Sequence, residues 1–351
     1  MVVRKIEKNI FSVGVNDWDR RLFDELIPLP DGTSYNSYLV KGNSKIALID
    51  TVDPKFKDEF LSNLAKLDVK IDYVIANHAE QDHSGSLPYI LKKYPDAKIV
   101  TNKQCQHMLI DLLDLKEGDF EIINDLETID LGGKTLTFIK TPWVHWPETM
   151  VTLIEEDKIL FSCDFFGSHL ATSNLFVKDK CRVYEAAKRY YAEIMMPFRL
   201  RIKKNIDKIK SFDFDTIAPS HGPIYQEPEF IINAYKDWVS DKVKNEVVIT
   251  YVSMHGSTKL MVNYLVDSLI KKGITVKKFN LTNTDLGKLA ISLVDTATIV
   301  IGSPTVIVEP HPKAAYAAIL ANILKPKAKF LGVIGSYGWG GTMVDRIKKF
   351  I

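Results

Sequence analysis

The chain is 351 residues long, with 46 basic against 44 acidic side chains, 46% hydrophobic and 26% charged residues, and three cysteines. That length and balance describe a globular protein of about two domains, and exclude disorder, collagen-like repeats and low-complexity architecture. Apolar stretches are broken by Gly, Pro or charge before the ~18 residues of a membrane helix, and the first eight residues lack a signal-peptide core. Cys105, Cys163 and Cys181 form no CxxC pair. This argues against a disulfide framework, a zinc ribbon or a cysteine-held iron–sulfur cluster, and for a reducing, cytoplasmic setting.

In chain order, Ile46 to Asp50 reads as a strand and Lys55 to Leu67 as an amphipathic helix. Ile71 to Asn77 is a second strand, and Ser84 to Tyr94 a helix with Ser84 as its N-cap. Short β segments follow at Leu136 to Thr141, Met150 to Glu155 and Lys158 to Ser162, then helices at about 183–196 and 199–211. The remainder is more regular. Strands at Val247 to Val252, Thr275 to Phe279, Thr298 to Gly302 and Phe330 to Gly335 alternate with helices at 258–272, 286–293 and 312–324. Such spacing implies right-handed βαβ units in a doubly wound parallel sheet. Charge changes at the same place: residues 246–351 carry 13 Lys/Arg against 6 Asp/Glu, a net of +7, whereas residues 1–245 carry a net of −5. A boundary near Asn245 thus separates a domain of residues 1–245 from one of residues 246–351.

The strongest local signal is His78-Ala79-Glu80-Gln81-Asp82-His83, directly after a strand. Four metal-ligating side chains in six residues at a strand end are placed to converge. His145, Asp164 and His221 follow later strands in turn-rich surroundings. These seven residues exceed what one metal ion needs, so they point to a two-metal centre. Asp164 is suited to bridge, because a carboxylate has two oxygens. Histidine mixed with carboxylates is compatible with iron, manganese or zinc.

In the second domain, Ser253-Met254-His255-Gly256-Ser257-Thr258 lies between a strand and a helix. Hydroxyls and backbone amides there suit a phosphate, and Gly256 permits close approach. Two later strand ends carry Ser303-Pro304-Thr305-Val306 and Ser336-Tyr337-Gly338-Trp339-Gly340. All three segments lie at the carboxyl ends of parallel strands, where ligands bind in this architecture. No GxGxxG occurs, so a dinucleotide site is unsupported, and no basic stripe interleaved with aromatics indicates nucleic-acid binding.

The order of His78, Glu80, Asp82, His83, His145, Asp164 and His221 resembles the flavodiiron branch of the metallo-β-lactamase fold, an αββα sandwich. The three later loops resemble flavodoxin, and together the two motif sets cover essentially the whole chain. The resemblance implies a diiron centre, with His78, Glu80 and His145 on one iron, Asp82, His83 and His221 on the other, and Asp164 bridging. It also implies FMN, with Trp339 beside the isoalloxazine ring. Hydrolases of the superfamily typically have histidine where this chain has Glu80, and a carboxylate there favours a harder, redox-active metal. Family members often have histidine where this chain has Asp24, and Tyr190 and Tyr191 lie in a segment resembling the family's helix near the metals.

What the resemblance implies is an oxidoreductase. Two ferrous ions and a reduced flavin hold the four electrons that convert dioxygen to water, and coupling two nitric oxide molecules to nitrous oxide needs two. The family further implies a head-to-tail homodimer, possible pairing of dimers, and electrons from rubredoxin or a reduced deazaflavin. The +7 domain suits an acidic donor. The alternative is a dinuclear metallohydrolase carrying a flavodoxin-like module. A flavodoxin-like sheet usually has five strands, whereas residues 246–351 supply four, so the strand starting at Phe330 is expected at an open edge.

Overall fold

The computed structural model describes residues 2–351. They form two compact units, one running to Tyr190 and again over Leu200–Lys236, the other comprising Tyr191–Arg199 and Asp237–Ile351.

The first unit is built on two large sheets, beside two small two-stranded ones, Val15–Asp17 with Thr33–Tyr35 and Leu22–Phe23 with Ile27–Pro28. One has seven strands, in the order Arg4–Glu7, Ile10–Ser12, Tyr38–Lys41, Ile46–Ile49, Tyr73–Ile75, Lys98–Thr101, Phe120–Ile122. The other has five: Thr128–Asp130, Thr135–Lys140, Met150–Ile154, Ile159–Cys163 and Thr216–Pro219. Side chains alternate between the faces of a strand, and here both alternate sets are apolar. Val40, Ala47, Ile49 and Ile75 of the first sheet meet Phe138, Met150, Ile154 and Phe161 of the second in one buried core. The opposite face of the first sheet, with Leu39, Leu48, Val74 and Ile99, packs under Phe60, Leu64, Ile90 and Leu109 from helices Lys57–Ala65, Leu87–Lys93 and Lys103–Leu113. This is the expected αββα layering. Strand ends at Ile75, Lys140, Cys163 and Pro219 lead into the segments that carry the metal-ligating motifs.

One local expectation is corrected. Ser84 does not cap a helix running to Tyr94; it ends the single turn Gln81–Ser84, and a separate helix begins at Leu87. The Ser84 hydroxyl instead donates to the Ala79 carbonyl at 2.7 Å. The bond folds the motif back on itself, so Asp82 and His83 project from a helical turn.

In the second unit, strands Thr275–Asn280, Lys244–Tyr251, Thr296–Val306 and Phe330–Ser336 lie side by side and parallel. Helices Ser257–Lys271, Leu286–Leu293 and Pro312–Leu324 connect them. Among the described residues, Phe330–Ser336 pairs only with Thr296–Val306 and is the open edge expected from the sequence. The central strand runs past Gly302 and turns back through Ile307 and Val308, both with left-handed backbone (φ 49° and 62°). Val306 and Glu309 pair across that two-residue turn, the geometry that adjacent twisted strands favour.

Close backbone approach fixes one glycine in the first unit. A Cβ on Gly42 would lie 1.9 Å from the Leu131 carbonyl oxygen. We predict that Gly42→Ala lowers stability by about 1–3 kcal/mol through forced backbone displacement. Urea unfolding would show a lower midpoint, and an unchanged midpoint would contradict the packing described.

Candidate metal centre and flavin loops

The seven predicted side chains converge. His78, Glu80, His145 and Asp164 form one group whose ligand atoms lie within 4.8 Å of one another, and Asp82, His83 and His221 form a second. Asp164 joins the two through different oxygens. Its Oδ2 is 3.5 Å from His78 Nε2 and 3.3 Å from His145 Nε2. Its Oδ1 is 3.0 Å from His83 Nε2 and 3.3 Å from His221 Nε2. Within the groups, Glu80 Oε2 lies 3.2 Å from His78 Nε2 and 3.1 Å from His145 Nε2. Asp82 lies 3.3 Å from both His83 Nε2 and His221 Nε2. Two donors bound at ~2.1 Å to one cation at tetrahedral or octahedral angles lie ~3.0–3.4 Å apart, so the spacing fits two cations sharing Asp164.

Burial sharpens the fit. Both carboxylate oxygens of Asp82 and Asp164 and both ring nitrogens of His83 are buried without a hydrogen-bond partner. Orphaned buried acceptors of this kind are costly unless a cation satisfies them. Burial alone would lower the histidine pKa values, but the negative charges of Asp164 and Glu80 hold His145 near 9, and those of Asp164 and Asp82 hold His221 near 10. Asp164, whose own burial is outweighed by His83, His145 and His221, sits well below the usual carboxylate range.

Several residues around the cluster have no sequence signature of their own. Asp50, buried and left-handed at φ 53°, accepts from the Asn77 backbone N–H at 2.9 Å and its Nδ2 at 3.0 Å. Glu148 accepts from His78 Nδ1 at 2.7 Å and from the Ala79 N–H at 3.0 Å. His221 Nδ1 donates to the Ser34 carbonyl at 2.6 Å. His169 is buried beside His221, with ring centroids 4.8 Å apart, and its Nδ1 is 2.9 Å from Thr33 Oγ1. Burial and the neighbouring His221 push its pKa well down, keeping it neutral. A weak pointer to Glu148 is its place three residues after His145 in one loop, and to His169 its place five residues after Asp164.

Tyr190 stands at this site. Its ring lies 4.9 Å from that of His169, and burial followed by the charge of Asp164 raises its pKa well above the phenol range. Tyr191 belongs to the other unit, where it packs on Trp238 at 5.3 Å. Asp24 sits in the turn after Leu22–Phe23 with φ 48°. Its carboxyl is pushed up by partial burial and by the charges of Glu80 and Asp82. The Cys163 thiol, near His83 and Asp164, is held protonated by burial and by the charges of Asp50 and Asp164. Burial does the same for Cys105, whereas Cys181 is exposed.

The three flavin-loop segments also adjoin. Gly256 (φ 92°) precedes Ser257–Lys271 and has no side chain to cap it; Lys259 N donates to Ser253 Oγ, which leaves the N–H groups of Ser257 and Thr258 to face an anion. The Thr258 hydroxyl is 3.2 Å from that of Ser336, and a Cβ on Gly340 would press on Val308. Thr305 Oγ1 is buried without a partner, while Tyr337 and Trp339 are 70% and 71% exposed at the same strand ends. Large aromatics left bare around an orphaned hydroxyl and open N–H groups fit a bound aromatic phosphate ester. Ser303 is committed within the fold, donating to Pro304 O and accepting from His311 N. Met254, His255 and Gly338 lie on the outer surface of these loops, and Ser253 Oγ accepts from Lys259 N at 3.2 Å.

An αββα unit with paired ligand groups, joined to a flavodoxin-like unit, defines a class of protein, and comparison with known proteins agrees. The family described as ODP family beta lactamase matches residues 33–222. The coenzyme F420H2 oxidase of Methanothermobacter marburgensis is 34% identical over 97% of this chain and 89% of its own length. The nitric oxide reductase of Moorella thermoacetica is 36% identical over 96% and 86% respectively. Among solved structures, the flavodiiron protein of Giardia intestinalis superposes with a TM-score of 0.94 at 30% identity, covering 100% of this chain and 87% of that one. Rubredoxin oxygen:oxidoreductase from Desulfovibrio gigas superposes with a TM-score of 0.96 at 31% identity, covering 99% and 89%. The chain belongs to the flavodiiron family of oxidoreductases. No helix among the described residues is long and apolar enough to cross a membrane.

The raised histidine pKa values have a consequence for stability. An imidazole titrates near ~6.5 in an unfolded chain. The stabilisation from protonated His145 and His221 is therefore complete below that pH and disappears as pH rises through about 9 and about 10. We predict that chelated protein loses thermal stability between about pH 7 and pH 10, whereas metal-loaded protein does not, because the cation replaces protons on the same nitrogens. Melting curves with and without chelator test this, and parallel curves would refute it.

Proposed function

We propose that this chain reduces dioxygen to water, nitric oxide to nitrous oxide, or both, with a diiron centre in residues 1–245 and FMN in residues 246–351. The observation that carries the reading is Asp164, whose two oxygens face two separate ligand groups, one of them containing Glu80. His78, Glu80 and His145 would hold one iron, Asp82, His83 and His221 the other, with Asp164 shared. A terminal carboxylate on each metal favours iron over the softer preferences of zinc. Names of relatives support both gases: one is an F420H2 oxidase and another a nitric oxide reductase. They also set aside the hydrolase alternative.

When bound, the irons polarise the diatomic substrate and, with FMN, supply its electrons. The chain's residues prepare the pocket for that chemistry. Tyr190 keeps its phenolic proton and can donate a hydrogen bond, and neutral His169 adds no charge. Ser253–Thr258 would cradle the FMN phosphate through the open N–H groups beside Gly256, with Thr305 and Trp339 toward the ring. Rubredoxin, named in the Desulfovibrio neighbour, and a reduced deazaflavin, the F420H2 of the Methanothermobacter relative, are the two donor classes this reading admits. The +7 charge of residues 246–351 would steer an acidic donor. A cytoplasmic homodimer completes the proposal.

The test is anaerobic reduction of iron-replete, FMN-loaded protein with rubredoxin or reduced deazaflavin, followed by separate dioxygen and nitric oxide consumption assays. Turnover of neither gas would overturn the proposal. We further predict that Glu80→Gln lowers turnover by at least ~10²-fold through loss of an anionic ligand while FMN stays bound. Loss of FMN absorbance from that variant would show that the two sites are not independent.

A further inference from the structure

The two ligand groups look alike in their inner donors. Each has a terminal carboxylate, Glu80 or Asp82, each has two histidines, and both share Asp164. They differ one layer out. His78 Nδ1 donates to the Glu148 carboxylate at 2.7 Å, and both side chains are buried with no solvent exposure. The corresponding bond of His221 goes to a neutral partner, the Ser34 backbone carbonyl at 2.6 Å. His83 Nδ1 has no hydrogen-bond partner. The Glu148 carboxylate is itself fixed, because Oε1 also accepts the Ala79 N–H at 3.0 Å and the Glu148 carbonyl accepts from Asn102 Nδ2 at 2.7 Å. Its Oε2 is buried without a hydrogen-bond partner, and among the described residues no Lys or Arg is paired with this carboxylate.

We propose that Glu148 is a positioning residue that makes the two metal positions unequal, adding a buried negative charge behind His78 alone. Fixing the Nδ1–H of His78 turns its Nε2 lone pair toward Glu80 and Asp164, and the outer carboxylate makes that imidazole a stronger donor. The His78 position is then more electron-rich. It binds a divalent cation more tightly and, with iron in both positions, gives up its electron to an added oxidant such as ferricyanide before the other position does. This rests on the diiron reading above.

The experiment compares wild-type protein with Glu148→Gln, which keeps the shape and removes the charge, and Glu148→Asp, which keeps the charge at shorter reach. Iron content per chain comes first: a wild-type chain that holds no iron contradicts the diiron reading itself, independently of Glu148. Given two irons, ferricyanide titration followed by Mössbauer spectroscopy should show two separate one-electron oxidations in the wild type. In E148Q the earlier step should move toward the later one, with one iron doublet altered and the other unchanged, and E148D should lie between. The affinity of the tighter position for cobalt(II) should fall about 10- to 100-fold in E148Q. Unchanged steps, or equal changes at both irons, would overturn the proposal. If E148Q does not fold, stepwise cobalt(II) binding by the wild type decides: a first ion bound at least about tenfold tighter supports the asymmetry, and indistinguishable affinities overturn it.

Discussion

The cluster of candidate ligands is anchored by one buried carboxylate that acts through the residue opening the motif. Asp50, at the end of Ile46–Ile49, grips both the backbone and the side chain of Asn77. Asn77 in turn accepts from Met150 N at 3.0 Å and from Thr152 Oγ1 at 2.8 Å. The residue that opens the ligand motif is thereby fastened to both sheets of the sandwich. Register is what such fastening protects: in extended chain a slip of one residue reverses every side chain, and would turn His78 and Glu80 together away from Asp164 and His145. Thr51 adds a second fastening, its backbone N–H and hydroxyl both donating to the His83 carbonyl at the far end of the motif.

Holding the motif at both ends explains how so many anionic groups tolerate burial together. Glu80, Asp82, Asp164 and Glu148 lie within one small region, and an unconstrained chain would move them apart. The scaffold instead sets them against four imidazoles, so that each carboxylate oxygen of Asp164 faces two ring nitrogens. Protons offset part of the cost of that arrangement and bound cations would offset the rest, which would make metal loading and folding a single equilibrium problem.

Much of this was legible in the sequence, for an identifiable reason. His78 to His83 are contiguous, and His145, Asp164 and His221 each follow a strand, so local pattern and chemistry sufficed. Glu148, His169 and Thr33 were not legible, because their meaning lies in contacts across long separations; Thr33 reaches His169 from 136 residues away. Ser84 was misread because a serine before an apolar periodic run is an ordinary N-cap signal, and only the fold shows its hydroxyl turned back to Ala79. The central strand of the second unit ran longer than expected because Gly302 and Pro304, usual terminators, sit inside it. Pro304 pairs with Ser336 in a parallel ladder that continues to the turn at Ile307. The early strands from Arg4 to Lys41 are two to four residues each, too short for alternation to stand out.

The three cysteines carry a practical consequence. Alkylating reagents and nitrosating species react with thiolate that they can reach. Cys105 and Cys163 are enclosed and held as thiols, so the native chain offers such reagents one sulfur, Cys181 at the start of helix Lys180–Tyr190. That helix ends at Tyr190, in the wall of the metal pocket. A probe attached at Cys181 would thus ride on the same rigid rod as a pocket residue, and could report on that wall without any engineered substitution.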